Sequence, residues 1–172
     1  MVGKETLPDD KILEALYVSQ MTPLYRYFFY HVGNMQDAED LVSITLYRAI
    51  ANHARFDAQK GTLAAWVFGV ARHVLRDNQR RRTGLTLPHL PLVDTQSSPE
   101  LQVIQDEATM LLHQRIHKLP ANQREALTLR YFGDLHIHEI AALLRKSDPA
   151  VKMLLQRGLA NLRCQYHHGG ER

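Results

Sequence analysis

The stretch RHVLRDNQRRR, residues 72 to 82, contains five arginines and one histidine within eleven residues. Arg72, Arg76 and Arg80 recur at every fourth position, which places them on the same side of a helix. Such a row of guanidinium groups can bind the phosphates of a nucleic acid. Arginines at a helix end also complement the helix dipole and are often ordinary solvated surface. The segment by itself allows both interpretations.

A second candidate group lies near the C-terminal end of the chain, in the stretch DPAVKMLLQRGLANLR at residues 148 to 163. Lys152, Gln156 and Arg157 fall outside the apolar stripe that a helix here would bury. That stripe consists of Val151, Leu154 or Leu155, Leu159 and Leu162. Basic and amide side chains bind phosphates and base edges in the major groove of DNA. The alternative is a helical hairpin whose polar face is only solvated.

The histidines raise a metal hypothesis, which the spacing supports poorly. His113 and His117 lie four residues apart on one predicted helix face, and Cys164, His167 and His168 cluster near the C-terminus. Neither group supplies a complete tetrahedral ligand set, so we expect no metal site and no cofactor. The sequence also lacks a glycine-rich phosphate loop, a nucleophile elbow and paired carboxylates in an evident pocket. We therefore expect that the protein is not an enzyme.

Composition is that of an ordinary globular protein, with 172 residues, 45% hydrophobic and 23% charged. The formal net charge is only +3, so a preference for nucleic acid has to arise from clustered charge. The single cysteine, Cys164, excludes an internal disulfide and suits a reducing compartment. No apolar run has the length of a signal peptide core or a membrane span, so we expect a cytoplasmic protein without membrane insertion.

Hydrophobic periodicity predicts a first unit of four helices from about residue 9 to residue 82. One helix begins after the N-cap Asn34, and another carries the stripe from Leu63 to Val74 into the arginine cluster. Upstream, the pattern predicts two helices, the second beginning at Thr22 with Pro23 in its first turn. The residues 83 to 100 contain three prolines and several Ser and Thr residues, which predicts a linker.

A second helical unit is predicted from residue 101 to residue 166, preceded by a capping box at Ser97 and Glu100. It has boundaries at Pro120 and Gly133, where the glycine is expected to cap a helix. HIHEIAALL at 136 to 144, the connector RKS and the helix capped by Ser147 form a predicted helix-turn-helix. Without strand-like alternation, the fold class is all-α, with two small helical domains joined by a flexible linker.

The order of these segments resembles an extracytoplasmic-function (ECF) sigma factor of bacterial RNA polymerase, in the sigma-70 family. The resemblance rests on DAEDLV, LAAWVFGVARHVLRDNQRRR, LPANQREALTLRYF and HEIAALLRKSDPAVKMLLQRGLANLR, which span nearly the whole chain. It implies sigma domain two at 9 to 82, which binds the β′ clamp helices of core polymerase and melts the minus-ten element. It also implies sigma domain four at 101 to 166, which binds the β flap and reads the minus-thirty-five element.

The resemblance assigns roles to particular residues of this sequence. It implies that polymerase is bound by Asp37, Glu39, Asp40 and Leu41. It implies that minus-ten DNA is bound by an outward row of Arg72, Arg76 and Arg80, together with Arg81. It implies that the minus-thirty-five element is bound by Ser147, Lys152, Gln156 and Arg157. The loop from about Arg55 to Thr62 corresponds to the segment that captures a flipped minus-ten base, and Trp66 is expected to serve packing first.

Several residues depart from the pattern of the family. Ser43 and Ile44 replace the usual Gln-Glu, and His73 stands where asparagine is common. Arg145 stands where the connector usually has glycine, which predicts an altered turn because arginine tolerates a left-handed backbone poorly. His136 replaces a capping hydroxyl, and Leu154 replaces a basic residue.

The function that these observations predict is a transcription initiation factor that directs core polymerase to promoters, located in the bacterial cytoplasm and nucleoid-associated when active. Promoter DNA and core polymerase are the expected partners, with an anti-sigma factor as a further candidate. Two alternatives stay open at this point: a sigma-like decoy that only binds an anti-sigma protein, and a stand-alone helix-turn-helix regulator.

Overall fold

The computed structural model describes residues 10–84 and 107–168, and within these ranges it contains seven α-helices, one short 3₁₀ turn and no strand. The all-α prediction is confirmed. The helices are α1 Asp10–Val32, α2 Met35–Ala51, α3 Leu63–Arg82, α4 Glu107–His117, α5 Ala121–Tyr131, α6 Ile137–Leu144 and α7 Asp148–His168, and the 3₁₀ turn is His53–Arg55. Three parts of the sequence prediction lie outside the described residues: most of the predicted linker, the capping box at Ser97 and Glu100, and residues 101 to 106. None of the described helices is long and apolar enough to cross a membrane.

The predicted helix start at Thr22 is wrong, because α1 is continuous and contains Pro23 in its interior. An interior proline removes one backbone hydrogen bond and costs about 3 kcal/mol. Leu16 before the proline and Leu24 and Phe28 after it are all buried in one core. Burial of both halves of α1 along one continuous axis offsets the local cost, so three helices form the first unit and not four.

The predicted helix starts at Asn34 and Ser147 are confirmed. The amide of Asp37 donates to the Asn34 side chain at 3.1 Å, and the amide of Ala150 donates to the Ser147 hydroxyl at 3.3 Å. A third cap of this type is Thr62 at the start of α3, whose hydroxyl accepts from the amide of Ala65 at 3.1 Å. All three side chains satisfy amides that would otherwise lack an intrahelical partner.

Gly133 follows the end of α5 as predicted, but the left-handed residue there is Asp134, with φ 51°. The glycine serves close packing instead. A Cβ at this position would lie 2.8 Å from the Leu129 carbonyl oxygen and 3.1 Å from the Phe68 ring. Since Phe68 belongs to α3, the absence of a side chain at Gly133 lets the two helical units approach each other.

The helix-turn-helix of α6 and α7 keeps its turn despite Arg145. Arg145 adopts the left-handed conformation, with φ 54° and ψ 49°, and the amide of Lys146 donates to the Ala141 carbonyl at 2.9 Å. The expected alteration of the turn is therefore wrong. An arginine in the left-handed backbone conformation costs on the order of 1 kcal/mol of stability relative to glycine. The packing of α6 and α7 on either side of the turn can offset this cost.

The two helical units share one continuous hydrophobic core. Helix α1 contacts α4 and α5, and α3 contacts α6. The rings of Tyr30 on α1 and Phe132 after α5 stack at 4.5 Å with an interplanar angle of 7°. Gly69 on α3 faces α6 so closely that a Cβ there would lie 3.4 Å from Leu143. The sequence pattern predicts two domains joined by a flexible linker, and this extensive contact between them is not apparent from it.

Candidate nucleic-acid interface and its contact with the second unit

The arginine cluster of α3 is divided between solvent and the protein interior. Arg76, Arg80 and Arg82 are exposed and Arg81 is partly exposed. Arg82 is not free, because its guanidinium forms an ion pair with Asp37 at the start of α2. A second pair joins the same helices, with Arg48 donating to Asp77 at 2.8 Å. The exposed cationic surface that remains is centred on Arg76 and Arg80.

The expectation that Arg72 belongs to an outward row is wrong for this conformation. Arg72 is 8% exposed and points into the contact between the two units. Its Nε donates to the carboxylate of Glu125 on α5 at 2.6 Å, and its Nη1 donates to the carbonyl of Leu143 at the end of α6. One guanidinium on the first unit therefore binds two helices of the second.

Helix geometry explains why the arginine row divides. Four residues advance a helix by about 400°, so Arg72 and Arg80 differ by roughly 80° around the axis of α3. Arg72 follows Phe68 by one turn and adjoins Ala71, all three of which are buried. Its position is thus at the edge of the apolar stripe, whereas Arg80 lies beyond the last buried turn.

A single carboxylate, Glu139, connects the loop before α3 with the helix-turn-helix. Its Oε1 accepts from the Thr62 hydroxyl at 2.5 Å, and its Oε2 accepts from the backbone amide of His136 at 2.9 Å. Burial by itself would raise the pKa of Glu139, but the hydrogen bonds from Thr62 and His136 lower the pKa below its usual value. Glu139 is therefore held as an anion at the joint between the two units.

The loop that the resemblance assigns to minus-ten recognition borders a cavity of about 300 Å³. The walls come from both units: Arg55, Phe56, Thr62 and Trp66 on one side, and His138, Glu139, Ala142 and Leu143 of α6 on the other. Phe56 and Trp66 contact each other with ring centroids 5.6 Å apart. Trp66 thus packs, as expected, but it also lines this cavity, and α6 covers the loop on this side.

The acidic start of α2 is only partly available to a partner. Asp37, Glu39 and Asp40 are partly exposed, although Asp37 pairs with Arg82 and Asp40 accepts from Gln36 at 3.3 Å. Leu41 is 5% exposed and belongs to the core, so the expectation that it contacts a partner directly is not supported here. Glu39 and Asp40 are the better candidates for a charged contact.

The outward face predicted for α7 is present. Lys152, Gln156 and Arg157 are all exposed, and Val151 is fully buried. Leu154, Leu155, Leu159 and Leu162 are partly buried, so the apolar side of α7 is broader and less deeply covered than the sequence predicted. Gly158 permits α7 to pack on α5, since a Cβ there would lie 2.8 Å from Leu127.

Three histidines meet where α1, α4 and α5 pack. His31 lies 3.1 Å from the Thr128 hydroxyl, the ring of His113 lies 5.0 Å from that of Phe29, and His117 lies 2.9 Å from the Arg124 guanidinium. Within residues 10–84 and 107–168, no three His, Cys, Asp or Glu side chains are grouped so that they could hold a metal ion. Cys164 is exposed. His31 and His113 thus contact the other unit, whereas His117 contacts Arg124 and His113 within the second unit.

Comparison with known proteins matches both units of the chain to one family. The family description "Sigma-70 region 2" matches residues 16–84, and "Sigma-70, region 4" matches residues 109–162. The chain belongs to the sigma-70 family. Helices α1 to α3 are its region 2, and α4 to α7 are its region 4.

Two relatives that the chain resembles are ECF RNA polymerase sigma factors. The chain is 31% identical over 151 residues to the ECF RNA polymerase sigma factor BldN of Streptomyces coelicolor, covering 86% of this chain and 57% of BldN. It therefore spans little more than half of that relative. It is 28% identical over 159 residues to the ECF RNA polymerase sigma factor SigM of Bacillus subtilis, covering 91% of this chain and 96% of SigM.

Two solved structures have the same fold. CnrH, solved in complex with the cytosolic domain of CnrY, has a TM-score of 0.67 and 21% identity, covering 94% of this chain and 91% of that chain. The sigma factor RpoE of Bartonella quintana, solved in complex with the anti-sigma factor NepR, has a TM-score of 0.66 and 24% identity, covering 95% and 99%. At these identities the likeness concerns the fold.

Sequence reasoning missed the residues by which regions 2 and 4 bind each other, namely Thr62, Glu125, Thr128, Glu139 and His31. In the sequence, each of these looks like an ordinary polar or capping residue of a helix. Its hydrogen-bond partner in the other region lies between 53 and 97 residues away along the chain. One signal was present: Arg72 adjoins the apolar stripe, which is an unusual place for a solvated cation.

We expect Glu125→Gln to destabilise the contact between regions 2 and 4. The substitution removes the anion from a guanidinium that is almost fully buried, and leaving such a group poorly paired costs about 1–3 kcal/mol or more. Urea unfolding of the full chain measures the loss. Lys60→Gln is the matched control, because Lys60 forms an exposed pair with Asp57 that contributes at most about 1 kcal/mol. Equal stability of the two variants would contradict the importance of the Arg72 pair.

Proposed function

We propose that this sigma-70 family chain is an ECF transcription initiation factor, which binds core RNA polymerase, directs it to promoters with minus-ten and minus-thirty-five elements, and assists promoter melting. The observation that carries the proposal is the occurrence of region 2 and region 4, in order, on the two helical units. Sigma factors are not enzymes. The chain accordingly acts by binding and positioning.

The division of labour follows the predicted domains. Residues 9–82 form the proposed sigma domain two and residues 101–166 the proposed sigma domain four. In the first, Glu39 and Asp40 face a basic surface on the β′ clamp helices, with Asp37 released from Arg82 on binding. In the second, α4 to α7 place the helix-turn-helix on the minus-thirty-five element while the domain binds the β flap. Opposite charges on the two partners would steer association and fix the register.

Promoter DNA binds to two surfaces in this proposal. Arg76, Arg80 and Arg81 hold phosphates around the minus-ten element, and Arg72 joins them when region 4 no longer covers it. On α7, Lys152, Gln156 and Arg157 enter the major groove, while Ser147 caps the helix that carries them. The exposure of this face and the burial of Val151 support that orientation.

An anti-sigma factor is a further proposed partner, since CnrH and RpoE were solved with CnrY and NepR respectively. The proposed location is the bacterial cytoplasm, with association to the nucleoid when the holoenzyme is active. A decoy that only occupies an anti-sigma protein would need neither polymerase binding nor an arginine surface. The match to region 2 leaves a stand-alone helix-turn-helix regulator without support.

Reconstituted transcription tests the proposal. Core polymerase with this chain should produce transcripts from selected promoter sequences that core alone does not use. A decoy would give no specific transcripts with any promoter library, although it would still bind an anti-sigma protein.

Replacement of Glu39 and Asp40 by lysine should weaken binding to core polymerase without loss of helicity. Charge reversal turns attraction toward a basic clamp surface into repulsion. Affinity for core is measured by fluorescence anisotropy, and helicity by circular dichroism. Glu14→Lys with Glu107→Lys is the control, because both carboxylates are exposed and the change in net charge is the same. Wild-type affinity in the first variant would refute the assignment.

Arg76→Ala with Arg80→Ala should reduce promoter opening and flatten its dependence on salt. Each phosphate contact contributes about 0.9 to the slope of log affinity against log salt on duplex DNA and about 0.7 on single strands. Two lost contacts therefore lower the slope by roughly 1.4 to 1.8. Arg26→Ala, which removes an exposed arginine of α1, should leave the slope unchanged. If the wild type, the double variant and Arg26→Ala all have the same slope, the arginine row is ordinary solvated surface.

Gln156→Ala and Arg157→Ala should relax the preference at individual positions of the minus-thirty-five element. A bidentate base contact contributes on the order of 1–3 kcal/mol of discrimination. Lys152→Ala, which removes a proposed phosphate contact, should reduce transcription from all promoter sequences alike. Transcription from a library of randomised minus-thirty-five elements distinguishes these results, with Lys118→Ala as an exposed control outside α7. Identical preferences in every variant would show that α7 does not read the promoter.

A further inference from the structure

We propose that His31, His113 and His117 form a proton-sensitive latch between sigma regions 2 and 4: neutral His31 and His113 each contact the opposite region, His117 lies beside His113, and protonation of the three separates the regions and releases Arg72. The regulatory consequence rests on the proposed function, whereas the latch itself is a property of the free chain. The three residues are called the histidine latch below.

His31 connects α1 to α5 as a neutral ring. The Thr128 hydroxyl has one proton and two backbone acceptors within reach, the carbonyls of Arg124 and Glu125, both at 3.0 Å. When that proton is donated to either carbonyl, the 3.1 Å contact with His31 is made by Nε2–H of the neutral histidine, which donates to the Thr128 oxygen. This leaves Nδ1 as the site for a second proton. The ring of His31 also packs against the Tyr27 ring, with the centroids 4.6 Å apart. This setting stabilises a positive charge on His31 less well than water does.

His117 has the clearest requirement for the neutral state. Its Nδ1 lies 2.9 Å from Nη1 of Arg124, and a guanidinium can only donate, so Nδ1 is the unprotonated, accepting nitrogen. A proton at Nδ1 would place two donors and two positive charges against each other and would break this exposed contact. Both residues belong to region 4, so His117 acts on the joint between the regions through its neighbour His113.

His113 fills the gap between the units. Its ring lies over Gly33, where a Cβ would be 2.9 Å from Cε1, and it approaches the rings of Phe29 and Tyr30 at 5.0 and 6.1 Å. Its Nε2 is buried and has no hydrogen-bond partner among residues 10–84 and 107–168. The ring of His117 lies 5.7 Å away, so a charge on either histidine opposes a charge on the other.

The charged groups around the latch are mostly cationic. Arg124 of α5 and Arg72 of α3 face His31, while the carboxylate of Glu125 is engaged by Arg72. Burial first, and then Arg124, His117 and Arg72, lower the pKa of His31 to about 3. Burial, His117 and Arg124 lower the pKa of His113, and burial and Arg124 lower the pKa of His117.

The sign of the pH dependence follows from these directions. In the separated chain the histidines regain a pKa near 6.5, so the open form binds more protons than the closed form below that pH. The closed form is fully favoured above pH 6.5 and loses stability as the pH falls. From His31 alone, the opening constant should rise about tenfold between pH 7.5 and pH 5.5. His113 and His117 increase this factor.

Opening would uncover the surfaces that closure blocks. Arg72 would lose Glu125 and the Leu143 carbonyl and become available to phosphate. The loop from Arg55 to Thr62 would lose its cover of α6. Closure and promoter binding through Arg72 therefore exclude each other.

The chain provides its own probe for opening, because its single tryptophan, Trp66, lines the cavity between the regions. Tryptophan fluorescence and far-ultraviolet circular dichroism are recorded from pH 7.5 to pH 5.5 without polymerase. A second reporter is energy transfer between a dye on Cys164 and a dye on Gln79→Cys in region 2. We expect the tryptophan emission to change and energy transfer to fall while helicity is constant.

Variants separate the latch from other effects of acid. His117→Gln should reduce the pH response, and the triple change of all latch histidines to glutamine should remove most of it. His73→Gln, an exposed histidine of α3, should leave it intact. In a Cys164→Ser background, a disulfide between Gly69→Cys and Leu143→Cys should abolish the tryptophan response, and its reduction should restore it.

Three results would overturn the latch: no spectroscopic change in the wild-type chain, the same change in the triple variant, or a loss of helicity in step with the change. Because these measurements contain no polymerase or promoter, their failure is distinct from a failure of reconstituted transcription, which concerns the proposed function alone.

Discussion

The ion pair of Arg72 with Glu125, supplemented by the Leu143 carbonyl, determines the arrangement of the two sigma regions. A guanidinium that is nearly excluded from water requires acceptors in fixed directions, and only α5 and the end of α6 supply them here. Their positions fix region 4 against α3. The aromatic stack of Tyr30 on Phe132 and the close approach at Gly69 and Gly133 lie in the same contact between the regions.

The same chemistry suits Arg72 to the proposed exchange between protein and DNA. Carboxylate and phosphate present similar pairs of oxygens to the planar guanidinium fork. In the proposed promoter contact, a phosphate oxygen would take the place of the Glu125 carboxylate. A buried ion pair adds little net stability, because desolvation of both charges opposes their attraction. The interaction is therefore well suited to a contact that has to be replaced.

Local features were predictable where a residue acts within its own helix. Asn34 and Ser147 cap the helices that they precede, and the outward face of α7 follows from its apolar periodicity. The helix start predicted at Thr22 is wrong because the local penalty of Pro23 is outweighed by the core that α1 fills on both sides of it. The outward position predicted for Arg72 is wrong because four-residue spacing places residues on one face only over short lengths. Glu125 and Thr128 could not have been assigned, since their partners are distant in sequence and a helix pattern contains no information on them.

Glu139 stabilises the start of its own helix and also forms a contact between the two sigma regions. As the third residue of α6 it accepts the amide of His136, which a helix start requires in any setting. Its other oxygen accepts from Thr62, whose own hydroxyl caps α3. Two helix starts in different sigma regions are thus satisfied through one carboxylate and one hydroxyl. If the regions separate, each cap keeps its intrahelical bond and loses only the contact between them, so both helices can persist in the open molecule. The contact between the regions can therefore open without requiring either helix to unfold.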